Sequence, residues 1–160
     1  MNDMTLNGLD PEELLEVAIE EALAGLAEGG IPIGGAIYGP TGEVVGRGHN
    51  RRVQHNDPSS HGETDAFRNA GRQSTWLDKI FVSTLSPCWY CSGLIYQFGF
   101  PTLIIGDDQG RTHESTEWLE SKGVDVVQLR SPRLSTMFSA WTIANPEVWA
   151  EDAGRWLAGS

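Results

Sequence analysis

Ser86-Pro87-Cys88-Trp89-Tyr90-Cys91 holds both cysteines of the 160-residue chain. The pair could be a disulfide, a redox couple, two buried thiols or half of a metal site, and each reading implies a different protein. C-x-x-C at the start of a helix lets two thiolates converge on one ion, with the helix N-terminus favouring their charge. Pro87 fits a first-turn position ahead of a helix over Cys88 to Phe98. Redox pairs share the spacing but normally follow the first strand of a small domain, whereas this motif lies past mid-chain. A disulfide framework fits poorly in a chain with two closely spaced cysteines and no export signal.

Periodicity gives the surroundings. Asp10-Pro11-Glu12-Glu13 reads as a helix start, and Leu14, Val17, Ala18, Ala22 and Leu26 keep helical spacing up to Gly29-Gly30. Ile33 to Tyr38 and Glu43 to Asn50 read as a hairpin turned by Gly39-Pro40-Thr41-Gly42. Arg51 to Ser60 is a polar loop, and His61 to Ala70 reads as a helix. Strands over Lys79 to Thr84, Thr102 to Ile105 and Val124 to Leu129 then alternate with helices over Cys88 to Phe98 and Ser115 to Lys122. Two more helices, Ser131 to Ala140 and Pro146 to Leu157, complete the chain. This order predicts an α/β fold in one domain over residues 1–160, with helices on both faces of a mixed sheet.

Composition removes several function classes. Asp and Glu outnumber Lys and Arg by 22 to 11, giving a net charge of -11, which argues against a nucleic-acid partner because phosphate backbones are bound by clustered cations. No apolar run reaches the roughly 20 residues of a membrane span. The polar Met1 to Asp10 stretch lacks the pattern of a signal peptide, so a cytoplasmic setting is expected.

A zinc site needs more ligands than two cysteines, and among His49, His55, His61 and His113, His61 differs because it begins a predicted helix and is followed two residues later by Glu63. Three protein ligands would leave a fourth tetrahedral position for water, whose pKa the metal lowers toward neutrality. A carboxylate beside it could carry protons to and from the reacting groups.

His61-Gly62-Glu63 with Pro87-Cys88-Trp89-Tyr90-Cys91 resembles the cytidine and deoxycytidylate deaminase superfamily of zinc deaminases, and within it the fungal-type cytosine deaminases. The likeness runs in order through Gly29 to Gly35, Gly46-Arg47-Gly48-His49-Asn50, Thr84 to Cys88 and Trp149-Ala150-Glu151-Asp152. Nucleoside-specific relatives usually carry Cys where His61 stands, which favours the free-base branch. The resemblance implies a three-layer α/β/α sandwich around a five-stranded mixed sheet. It implies Zn2+ on His61, Cys88 and Cys91, Glu63 as proton shuttle, and a homodimer. It also implies that a small heterocyclic base is bound by Asn50, the Gly62 N–H, the Ser86 carbonyl and Asp152, under an aromatic lid containing Trp149.

Three departures stand out. An ungapped alignment puts Arg111 where those deaminases have a Phe over the pyrimidine, and Arg recognises carbonyls or carboxylates as readily as rings. Thr64-Asp65 and Trp89-Tyr90, which flank the site, also differ. The expected reaction is cytosine to uracil with release of ammonia. Creatinine, isocytosine or guanine is the alternative within the class, and a noncatalytic zinc-stabilised module, which would need a fourth protein ligand, is the alternative outside it. Gly34-Gly35 would weaken a strand unless something must approach the backbone closely, a substrate being one candidate.

Overall fold

The computed structural model describes residues 6–159, with side chains through residue 152. Five strands form one mixed sheet in the order β2-β1-β3-β4-β5. Strand β1 (Gly34–Tyr38) is antiparallel to β2 (Val44–His49) and to β3 (Ile80–Leu85), and β3, β4 (Thr102–Asp107) and β5 (Asp125–Gln128) run parallel. The Gly39 to Gly42 turn closes the first hairpin, with Gly42 at φ +90° and its N–H donating to the Gly39 carbonyl at 3.0 Å.

Helices cover both faces, so the structure has the three α/β/α layers expected. Side chains alternate along each strand: Ala36, Tyr38, Ile80, Val82 and Ile104 pack on α1 (Pro11–Ala27) and on Leu134 of α6 (Pro132–Ala144). Ile37, Phe81, Leu103 and Ile105 pack on α3 (Gly62–Ala70), α4 (Trp89–Phe98) and α5 (Glu114–Ser121). The Asp10 side chain caps α1, accepting from the Glu12 N–H at 3.0 Å. Leu26, placed on that helix's apolar face by periodicity, is exposed. Within the polar loop, Arg52–His55 forms a short helix, α2, and α7 (Pro146–Gly159) ends the described chain.

The tryptophans with described side chains divide between core and surface. Trp76 stacks among Phe67, Phe98 and Phe100, Trp141 and Trp149 flank Phe138, and Trp89 is exposed. Among the described residues no helix is long and apolar enough to cross a membrane.

The strand glycines are there for packing against helices. A Cβ on Gly34 would fall 2.0 Å from the Ala18 carbonyl oxygen of α1, and one on Gly35 would fall 2.8 Å from the Gly62 carbonyl oxygen of α3. Backbone, not substrate, makes the close approach that the sequence required. Gly34→Ala is expected to destabilise the fold by about 2 kcal/mol or more, since backbone cannot yield as a side chain tip can. Chemical denaturation checks this, and wild-type stability would contradict the packing assigned to Gly34.

Candidate active site

The pocket lies outside the carboxyl ends of β3 and β4, where open α/β sheets place their ligands. Ile33 and Asn50 reach it from the outer ends of the first hairpin, His61 and Glu63 from the start of α3, and Leu85, Ser86 and Cys88 from the β3 to α4 connection. Gln109 and His113 enter from the loop after β4, and Trp149 and Asp152 from α7.

Two helix N-termini build its floor. His61 is the N-cap residue of α3, where its N–H donates to Thr64 Oγ1 at 2.9 Å. Cys88 is the N-cap of α4, and its carbonyl accepts from the Ser92 N–H at 2.8 Å. Helix α4 thus begins one residue later than the spacing predicts. Pro87 precedes the cap, and its carbonyl accepts from Ser115 Oγ at 3.0 Å. Tyr90, one of the departing residues, sets its ring edge-on to His61 at 5.1 Å.

His61 Nδ1 stands 3.6 Å from Cys88 Sγ and 3.5 Å from Cys91 Sγ. Tetrahedral zinc with ordinary Zn–S and Zn–N bonds separates such donors by about 3.6 Å, so the triad fits that ion. Among the described residues these three are the cluster able to hold a metal. His61 Nε2 meets Asp152 Oδ1 at 3.2 Å, the kind of outer partner that orients a ligating imidazole. Burial opposes charge on His61, but the contacts with Asp152 and Cys88 outweigh it and push the imidazole up to about 10. The contact with Cys91 takes the Cys88 thiol down to about 5, and the same contact with burial sends Cys91 up. Metal-free, the cluster sets an imidazolium against a thiolate, and a cation would displace the remaining protons.

Glu63 is buried behind the donors, and burial raises its carboxyl above the usual range. Its Oε1 accepts from Ser83 Oγ at 2.6 Å. Asn50 Oδ1 accepts from the Arg52 N–H at 3.0 Å, which leaves the amide nitrogen as the donor for a ligand. Ser86 is fixed by its N–H to the Asp107 carbonyl at 2.9 Å. Gly62 begins α3 with its Cα under the Ile33 and Gly34 backbone and is not among the residues on the pocket wall.

The family model described as the cytidine and deoxycytidylate deaminase zinc-binding region matches residues 10–107. The chain belongs to this family. A cytosine deaminase of Candida albicans is 35% identical over 147 residues, 91% of this chain and 97% of that protein. A tRNA-specific adenosine deaminase of Streptococcus pyogenes serotype M18 is 37% identical over 95 residues, 58% of this chain and 59% of its own. The solved guanine deaminase of Nitrosomonas europaea superposes with a TM-score of 0.66 at 20% identity, covering 88% of this chain and 98% of that one, which shows the shared fold. Deaminases of this family carry zinc in the matched region, and the His61, Cys88 and Cys91 donors are compatible with Zn2+.

Arg111 lies apart from the pocket wall. Gln109 and Gly110 take left-handed conformations, φ +58° and +68°, and the turn carries Arg111 off the wall. Arg111 lines a separate shallow depression with Asp108, Glu117, Gln128 and Arg130, while Gln109 and His113 face the pocket. An ungapped alignment cannot register that turn. Ser83 was also missed, although a serine and a threonine inside the apolar run Ile80 to Leu85 were a visible signal. Thr64 and Asp65 serve the local fold: Asp65 Oδ2 accepts from the His49 N–H and from Arg51 Nε, each at 3.0 Å.

Cys91→Ala and His61→Ala are expected to lower bound zinc from about one equivalent to nearly none, because two donors hold the ion poorly; Glu63→Gln is expected to keep it. Metal analysis of dialysed protein decides, and zinc retained by both ligand variants would contradict the assignment. For Arg111→Phe the expected result is unchanged relative rates across a panel of bases, whereas Gln109→Leu shifts them.

Proposed function

We propose that the protein is a zinc-dependent aminohydrolase acting on a small free heterocycle, cytosine first among them, giving uracil and ammonia. The observation that carries this is the buried Glu63 carboxyl set beside three metal donors at the base of a pocket covered by α7. A noncatalytic zinc site would need a fourth protein ligand, and the described residues offer three.

The chemistry a zinc ion supplies when held by His61, Cys88 and Cys91 is acidification of water, which furnishes a nucleophile near neutral pH. The chain's residues do the rest. Glu63 accepts one water proton and passes it to the ring nitrogen beside the attacked carbon, then takes the proton of the added hydroxyl and gives it to the amine, which leaves as ammonia as the carbonyl forms. The Asn50 amide nitrogen donates to the base carbonyl. The Ser86 carbonyl and Asp152 carboxylate accept from the exocyclic amine. Ile33, Leu85 and Trp149 supply apolar walls that exclude water.

Residues from α7 on the pocket wall, together with the charge of -11, favour a free base over a transfer RNA, whose backbone calls for cations. Gln109 favours a second reading, guanine or isocytosine, because it offers an amide where an aromatic wall was expected. We also read the exposed Trp89 and Tyr96 around Trp118 as the face of a homodimer.

Zinc-loaded protein given cytosine, cytidine, isocytosine, creatinine, guanine and adenine is expected to release ammonia from cytosine fastest. Guanine or isocytosine ahead of cytosine would establish the second reading, and no ammonia from any base would sink the proposal. Glu63→Gln is expected to lower turnover by about 100-fold or more, the scale of general acid and base catalysis.

A further inference from the structure

Ser83, in the centre of β3, is fully buried. Its Oγ lies 2.6 Å from Glu63 Oε1 and 2.7 Å from the Leu85 carbonyl oxygen. A carbonyl oxygen only accepts, and a serine hydroxyl has one proton to give. The single proton therefore has two acceptors competing for it.

The competition is resolved by the charge on Glu63. Against a carboxylate the hydroxyl proton goes to Oε1, because a hydrogen bond to a charged acceptor is roughly twice as strong as a neutral one.

We propose that Ser83 is the positioning residue for Glu63. It holds Oε1 in one place, which leaves the other carboxyl oxygen turned to water and base. The strand supplies the rigidity: Ser83 is paired to Gly35 on one side and to Ile105 on the other, so Oγ has little freedom to follow a wandering carboxylate. Leu85, the second acceptor, is itself on the pocket wall. This proposal rests on the reading of Glu63 as proton carrier.

The test compares Ser83→Thr, Ser83→Val and Ser83→Ala as zinc-loaded full chains. Thr and Val match in shape and differ in the hydroxyl. Val and Ala are expected to keep one zinc and a KM near wild type while kcat falls about 10- to 100-fold, the scale of a lost hydrogen bond to a charged group. Thr is expected to restore most of kcat. Equal kcat for Val and Thr, or a loss confined to KM, would overturn the role given to Ser83. Glu63→Gln run beside them separates the two claims: if it stays active, the reading of Glu63 fails, and if it is inactive while Val matches Thr, only the Ser83 proposal fails.

Discussion

Helix α3 lies against β1 and β2 with almost no side chain between them. Hypothetical Cβ atoms on Gly35, Gly46 and Gly48 would fall 2.8 Å, 2.5 Å and 2.4 Å from atoms of Gly62, Ala66 and Asp65. Three glycines on one face of a hairpin let a helix approach at backbone distance, at the cost of strands with little packing of their own. That approach sets the position of His61 and Glu63 relative to the sheet. A helix held off by ordinary side chains would leave Glu63 out of reach of Ser83 and His61 displaced from the thiols of Cys88 and Cys91.

The sheet was legible because its signals are local. Alternation, Gly and Pro punctuation and helical spacing found all five strands, and the boundaries moved by two residues or fewer at each end. The larger differences came where tertiary contacts decide. Helix α6 runs on to Ala144 because Phe138 and Trp141 have a cluster to join, and the polar loop holds a short helix, α2, just before Asn56 at φ +50°.

At the site, residue type and spacing went far. The three donors and Glu63 come together as the motif requires, since both halves sit at helix starts and helix starts are fixed by backbone geometry. What could not be read was the loop after β4. Its path depends on two consecutive left-handed residues and on Asp108 Oδ1 accepting from the Gly110 N–H at 2.9 Å, so counting along the chain does not say which of its residues face the pocket. Trp149 illustrates a choice that spacing leaves open, because one side chain does both jobs, packing edge-on against Phe138 at 5.0 Å and facing the pocket.

Asp152 joins two parts of the molecule that would otherwise be independent. It rides on α7, which Arg52 ties down through the Val148 carbonyl at 3.4 Å and Glu151 at 3.5 Å, and it also steadies His61 Nε2. Any swing of α7 that uncovers the mouth withdraws Asp152 from the imidazole in the same movement. The orientation of the imidazole is therefore tied to the seating of a helix from the far end of the chain.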